Sequence, residues 1–246
     1  MNDTIALLQN HSSVRSFENK PLSEEQVNHI FKAANQAFSF SLLQAVSIIR
    51  ITDEKIRKEI MELSAGQTYI QEASEFWVFC SDFNRNHQIA PNVDITYTEF
   101  LQIGAVDVGL MAQNAMIASE SMGLGGVYIG GVRINIEKIA ELLGLPEYVI
   151  PLVGLCIGYP AEEKNPLKPR LPQSVVMHTN KYEPLMIEDI EEYDKEMRYY
   201  YENRPVRAPF TVRKVKGWSN HIDEHLERSI LPNMLKFLNK QGYAKK

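Results

Sequence analysis

TEFLQIGAVDVGLMAQNAMIASES, residues 98–121, is the stretch on which the reading of the whole chain turns. It is free of proline, small and apolar around most of its circumference, and carries few charges. The pattern predicts a long helix, about 36 Å at roughly 1.5 Å per residue. A helix with so little polar face is expected to be buried on nearly all sides. That places it at the centre of the fold or in a dimer interface.

The segments around it predict what it packs against. GLGGVYIGGVR follows directly, with Val127, Tyr128 and Ile129 as a short strand between two glycine pairs. AVSIIRIT (45–52), EFWVFCSDF (75–83) and YVIPLVGLCIGYP (148–160) are β-branched or aromatic runs expected as buried strands. PLSEEQVNHIFKAANQA carries a capping box, Ser23 and Gln26, before an apolar stripe of Val27, Ile30, Phe31 and Ala34. Asp53 is placed to cap a helix over EKIRKEIMELS. INIEKIAELLGLP reads as a helix stopped by Gly144 and Pro146. From about residue 186 the chain turns charged and tyrosine-rich, and SNHIDEHLERSILPNMLKFLNKQG reads as one long helix. Helices and strands do not alternate regularly enough for a doubly wound parallel sheet. The expectation is one α+β domain over residues 1–246, with a helical excursion at about 186–246.

Composition narrows the classes. With 246 residues, 44% hydrophobic and 23% charged, the chain has enough apolar material for a substantial core. A net charge of −5 gives no global attraction to nucleic acid or anionic membrane, so any anion site must be built locally. Cys80 and Cys156 lie in apolar runs without metal spacing and read as buried thiols in a reducing compartment. No signal-like N-terminal pattern is present, and Asp107, Gln113 and Asn114 interrupt the longest apolar region. The expected location is the cytoplasm.

Several motifs fail on inspection. GLGG departs from the dinucleotide fingerprint at Tyr128 and precedes a strand instead of following one. HIDEH, residues 221–225, matches a zinc-peptidase pattern but has no third ligand in view. Phosphate-loop and nucleophile-elbow motifs are missing, so hydrolase and nucleotide-triphosphatase readings have no support.

Three stretches do carry chemistry. HSSVRSF (11–17) concentrates His11, Ser12, Ser13 and Arg15, a mixture of cations and hydroxyls suited to a phosphate monoester. LKPRLP (167–172) holds Lys168 and Arg170 between prolines that stiffen the loop. Gly130 and Gly131 stand at a strand end, where a backbone without side chain can approach a flat ligand.

With LLQAVSIIRITD (42–53), AGQ (65–67), EFWVFCSDFNR (75–85) and MAQNAMIASESMGLGGVYIGG (111–131), these stretches make the chain resemble the flavin-dependent nitroreductase family nearly end to end. Within it, the likeness is to the oxygen-insensitive NADPH nitroreductases and NADPH–flavin oxidoreductases. The resemblance implies a central, mainly antiparallel sheet flanked by helices, in an intertwined homodimer with one FMN per subunit. It implies that His11, Ser13 and Arg15, with neighbouring Ser12, hold the FMN phosphate, ribityl chain and pyrimidine edge. Lys168 and Arg170 complete those contacts, Gln67 bonds the ring, and Gly130 offers its N–H to the flavin, with Tyr128, Ile129 and Gly131 lining that edge. Ser39 and Ser41 match a serine-rich flavin contact, although here Phe38 and Phe40 interrupt it. Arg204 and Arg207 match arginines that clamp the 2′-phosphate of NADPH, and Arg133 is expected at the substrate entrance.

The implied activity is two-electron, ping-pong reduction of nitroaromatics, quinones or free flavin by NADPH, with the chemistry on FMN and no side-chain acid or base. The partners implied are a second copy of the chain and small-molecule electron acceptors, without metal, nucleic acid or membrane. The alternative is a flavin-binding protein that senses redox state or mediates an interaction, with slow incidental turnover.

Overall fold

A computed structural model describes residues 2–163, 165–204, 217–228 and 231–246. Contacts group the chain into two compact units, Met1–Glu163 with Pro232–Lys246, and Lys164–Leu231.

The first unit contains α1 (Asp3–Gln9), α2 (Glu24–Asn35), β1 (Val46–Arg50), α3 (Glu54–Leu63), α4 (Tyr69–Glu72), β2 (Glu75–Asp82) and α5 (Asn84–Ile89). The long helix α6 (Thr98–Ser121), β3 (Gly125–Ile129), α7 (Ile136–Leu142) and β4 (Val149–Gly158) follow. The strands form one sheet in the order β1-β2-β4-β3, and all three pairings are antiparallel. The expected α+β class with an antiparallel sheet is borne out.

The apolar runs are continuous because both faces of the sheet are covered. Strand side chains alternate between faces. Trp77, Phe79, Leu155 and Ile157 pack with Val27, Ile30 and Ala34 of α2 and with Val108, Ala112, Ala115 and Met116 of α6. Phe76, Val78, Cys80 and Cys156 face the other way, onto Ile60 of α3, Ile70 of α4 and Ile139 of α7. Both cysteines are buried and unpaired, and burial pushes the Cys80 thiol up to about 12.

Pro151 sits inside β4, where a missing N–H would break the ladder. The pairing jumps there: Phe79 faces Val153 and Cys80 faces Pro151, so Leu152 is an extra residue in a bulge.

The helix starts follow their caps. Ser23 accepts from Gln26 N while the Gln26 side chain accepts from Ser23 N, and Asp53 accepts from Lys55 N and Ile56 N. Phe31, placed on the buried stripe of α2, is 45% exposed instead. The stripe is narrower than its apolar count implied.

Helix α6 also departs from expectation. Gly104, Val108, Ala112, Ala115 and Met116 are buried, but Ala105, Val106, Gly109 and Leu110 form an exposed apolar strip one turn apart on another face. Burial on nearly all sides is therefore not reached within one chain. By length and composition this helix could also cross a bilayer. Here it packs on the sheet with Asp107 and Glu120 buried along it.

The second unit contains α8 (Gln173–Val176), α9 (Ile187–Asn203) and α10 (Trp218–Arg228). Asp194 of α9 caps α10, accepting from Ser219 N at 3.0 Å and from the Ser219 hydroxyl at 2.5 Å. Tyr193 meets Trp218 edge-on, with ring centroids 5.8 Å apart. The single C-terminal helix expected over 219–242 is two helices. Pro232 lies between α10 and α11 (Met234–Lys240), because a proline inside a helix removes a bond and clashes with the preceding turn. Phe237 of α11 returns to the first unit with Tyr243, which is fully buried and donates its hydroxyl to Tyr148 O at 2.8 Å.

Candidate functional site

The loop after α1 is held along the edge strand β3. Val14 N donates to Gly126 O at 2.9 Å, Ala161 N to Ser16 O at 3.0 Å, and Phe17 bridges Pro160. Val14 turns inward and is buried; Ser13 is half-buried and Arg15 exposed. The fit is close, since a Cβ on Gly125 would lie 2.4 Å from Val14 Cγ2. The loop is thus fixed along the sheet edge, with Val14 inward and Arg15 outward.

Its members are placed individually. His11 Nδ1 lies 2.8 Å from Glu120 Oε1, with Glu120 2% exposed. Ser12 and Ser13 are half-buried beside it. The Arg15 guanidinium hydrogen-bonds the Tyr69 hydroxyl; burial raises that phenol above its ordinary range and the cation opposes the rise.

Tyr69 opens α4, two residues after Gln67. Gln67 Oε1 is buried without a hydrogen-bond partner, and so is Ser64 Oγ. Both belong to a turn with Ala65 at φ 61° and Gly66 at φ 67°, left-handed geometry that strains alanine. Gly131 presses against this turn: a Cβ there would meet Ser64 O at 2.9 Å and Gln67 Oε1 at 3.4 Å. Gly130 is exposed, and a Cβ there would meet only Arg133 Nη2, at 3.5 Å. Arg15, Gln67, Gly130 and Gly131 are thereby brought into one neighbourhood through Tyr69 and the 64–67 turn.

Other expected residues are committed to the fold. The Ile129 side chain is fully buried, so this residue can offer a ligand only its backbone. Arg133 Nη1 donates to Leu152 O, the carbonyl freed by the bulge, at 3.1 Å. Tyr128 donates to Gln113 Oε1 at 3.1 Å, and burial raises its phenol far above the ordinary range. Ser39 donates to Asp107 Oδ2 at 2.7 Å and accepts from Gln44 N at 2.7 Å. Ser41 is exposed, in a loop where Ser41, Leu42 and Gln44 all have positive φ (47°, 57° and 51°).

That loop depends on Asp107, which also accepts from Phe40 N at 3.1 Å and is 2% exposed. Replacing Asp107 by Ala leaves two donors without their acceptor and is expected to cost about 1–3 kcal/mol. Urea unfolding would measure the loss, and faster proteolysis at exposed Phe38 and Phe40 would locate it. An unchanged midpoint and cleavage rate would show that the loop holds itself.

In the second unit, Lys168 and Arg204 share one aromatic ring. Lys168 Nζ is 5.2 Å and Arg204 Cζ 4.6 Å from the Tyr201 centroid, both within cation–π range. Tyr193 donates to Pro169 O at 3.1 Å, and the positive charge of Arg170 acts on the same phenol. A cavity of about 650 Å³ lies beside them, lined by Leu167, Pro169, Lys195, Tyr199, Tyr200 and Arg204 among others. Arg207 lies outside the described residues. His221 and His225 stack on each other at 5.7 Å, and no group of three metal-ligating side chains occurs among the described residues.

Glu120, Asp107 and Tyr201 were not anticipated as part of this apparatus. The two acids had a readable signal: a carboxylate on an otherwise apolar helix needs a partner when buried. Tyr201 had none, because it stands in a run of three tyrosines of equal claim.

The donor and acceptor set of this neighbourhood is chemically compatible with a flat, phosphorylated ligand. A buried acceptor without partner calls for an N–H donor, a glycine edge leaves room for a ring, and a cation with free-standing hydroxyl residues suits a phosphate.

Comparison with known proteins shows the family. Residues 8–159 match the Nitroreductase family and residues 168–246 the Nitroreductase family, C-terminal domain. The chain is 46% identical over 244 residues to the oxygen-insensitive NADPH nitroreductase of Salmonella typhimurium, covering 99% of each. It is 44% identical over 247 residues to the NADPH-flavin oxidoreductase of Vibrio harveyi, covering 100% of each. The solved structure of the NADPH:FMN oxidoreductase from Vibrio harveyi complexed with NAD+ superposes with a TM-score of 0.91 at 42% identity, covering 100% of both chains. Sequence and fold thus agree over the whole length, and the chain belongs to the nitroreductase family, close to its oxygen-insensitive NADPH nitroreductases and NADPH–flavin oxidoreductases.

Proposed function

We propose that this protein is a cytoplasmic, FMN-dependent NADPH oxidoreductase that reduces nitroaromatics, quinones or free flavin in two-electron, ping-pong turnover. The observation that carries the reading is the orphaned acceptor Gln67 Oε1 beside Gly131, linked through the 64–67 turn and Tyr69 to the cation Arg15. The names of the relatives at 42–46% identity support it.

FMN, when bound, supplies hydride acceptance from the nicotinamide and hydride donation to the acceptor. The chain's own residues bind and orient it. His11, Ser12, Ser13 and Arg15 take the phosphate, ribityl chain and pyrimidine edge, with charge-assisted bonds as the main contribution. Gln67 satisfies its lone acceptor on a ring N–H. Gly130 and Gly131 admit the ring edge, helped by the Ile129 backbone and Tyr128. Lys168 and Arg170 add positive charge, which favours the electron-rich reduced flavin. Ser41 is exposed for a contact, whereas the Ser39 hydroxyl serves Asp107 first. No side chain needs to move a proton. We read residues 1–246 as a single FMN-binding domain, with a helical excursion at about 186–246 whose last residues, from Pro232, group with the first unit.

The protein works as a homodimer. The exposed strip of Ala105, Val106, Gly109 and Leu110, together with exposed Phe38, Phe40 and Leu42, is apolar surface suited to a second copy.

NADPH preference is assigned to Arg204 and Arg207, with Arg133 at the entrance, because a guanidinium binds a 2′-phosphate bidentately. Arg204→Ala is expected to raise KM for NADPH about tenfold while moving KM for NADH by less than about twofold. Steady-state rates at matched NADPH and NADH, across a panel of nitroaromatic, quinone and flavin acceptors, measure both the preference and the substrate class. Equal effects on the two nicotinamides would remove Arg204 from 2′-phosphate reading.

A further inference from the structure

Glu120 is a buried acid in an unfavourable place. It lies in the last turn of α6, where the helix dipole presents its negative end, and its side chain is 2% exposed. A charge so placed calls for a partner, and an apolar residue would need none. The polar groups around it are engaged elsewhere: the Ser119 hydroxyl donates to Ala115 O at 2.7 Å and the Tyr128 hydroxyl to Gln113 Oε1 at 3.1 Å. The hydrogen-bonded partner of Glu120 among the described residues is His11, at 2.8 Å and 109 residues away in sequence.

The His11 side chain spans inside and outside. Its Nδ1 meets the buried carboxylate, while the ring is 27% exposed next to Ser12 and Ser13. With Glu120 as a carboxylate, which can only accept, Nδ1 is the nitrogen that carries the proton of this bond. That commits the ring: Nδ1 faces inward, and Nε2 is the nitrogen left for a ligand. A histidine without such an anchor would flip and rotate, losing affinity to ordering entropy each time a ligand bound.

We propose that Glu120 is a positioning residue: its buried carboxylate locks the His11 imidazole so that Nε2 is presented to the FMN phosphate or ribityl chain. The proposal rests on the reading of the His11–Arg15 loop as an FMN site. The logic is that of an outer-shell carboxylate that orients a ligating histidine.

A double-mutant cycle tests it, with FMN affinity as the readout. His11→Ala is expected to weaken FMN about tenfold or more. Glu120→Leu, which removes the acceptor but keeps an apolar fit, is expected to weaken FMN about tenfold in the otherwise native protein. Glu120→Gln keeps an acceptor oxygen and is expected to recover most of that loss. In the His11→Ala background, Glu120→Leu is expected to change FMN affinity by less than about twofold. An equal loss in both backgrounds would make Glu120 a fold residue and overturn the proposal while leaving the FMN site intact. A His11→Ala protein that binds FMN like the native one would overturn the site reading and the proposal with it. Should the Glu120 variants fail to fold, nitrogen NMR of the native FMN-bound protein decides: a protonated, hydrogen-bonded Nδ1 supports the lock, and an unprotonated Nδ1 overturns it.

Discussion

Replacing Arg15 by Ala is expected to cut FMN retention about ten- to hundredfold, the range of one lost charge-assisted bond. Arg15 is exposed, yet its guanidinium is steered by the Tyr69 hydroxyl, which itself follows the strained 64–67 turn. Its position is set before any ligand arrives, so little ordering entropy offsets the contact. Lys168→Ala is expected to weaken FMN as well, by a smaller factor, because a lysine is a point charge without the bidentate geometry of arginine. Gel filtration of the yellow protein, followed by equilibrium titration of the apoprotein with FMN, measures both. Unchanged flavin occupancy in both variants would sink the site assignment.

Gly125→Ala is expected to be the most damaging single methyl addition near the loop. The new Cβ would lie 2.4 Å from Val14 Cγ2, 2.9 Å from Val14 Cβ and 3.2 Å from Pro160 Cγ. Val14 is 8% exposed and cannot swing into solvent without leaving its place in the core. Overpacking of this kind costs about 1–3 kcal/mol. At roughly 2–4 °C per kcal/mol for a chain of this size, Tm should fall by several degrees. The strain also bears on function, because the displaced backbone is the one that carries Ser13 and Arg15. FMN affinity should therefore drop together with Tm. Thermal unfolding with and without FMN separates the two effects. A variant with native Tm and native FMN affinity would mean that the 11–17 segment is not held as described.

Much of this architecture could be read from the chain alone, for identifiable reasons. Strong local signals gave the right elements: the Ser23–Gln26 box starts α2, Asp53 starts α3, and the proline-free apolar run became α6 with the expected limits. Of the places where the reading slipped, Phe31 was decided by tertiary context and Pro232 by a local signal. Phe31 has the right period for burial and lies exposed, since periodicity gives the face of a helix but not the width of its contact. Pro232 broke a helix that amphipathic spacing would have continued.

The site was partly legible for the same reason. Local clusters such as HSSVR and the glycine pairs announce themselves. Long-range partners do not. Glu120 reaches His11 across 109 positions, and Asp107 reaches Ser39 across 68. Ser39 illustrates the consequence, since its hydroxyl, expected on the flavin, is held by Asp107. The pairing of Lys168 with Arg204 over Tyr201 joins two residues that had been assigned to different ligands.

The most direct test of the account is rapid mixing of the FMN-loaded protein with NADPH in the absence of oxygen. The flavin absorbance is expected to bleach within about a second, a turnover rate ordinary for an enzyme. It should return when a quinone or nitroaromatic is added, in a second step that does not require NADPH. A flavin that stays oxidised through prolonged exposure to excess NADPH and NADH would contradict the enzyme and favour a flavin-binding sensor.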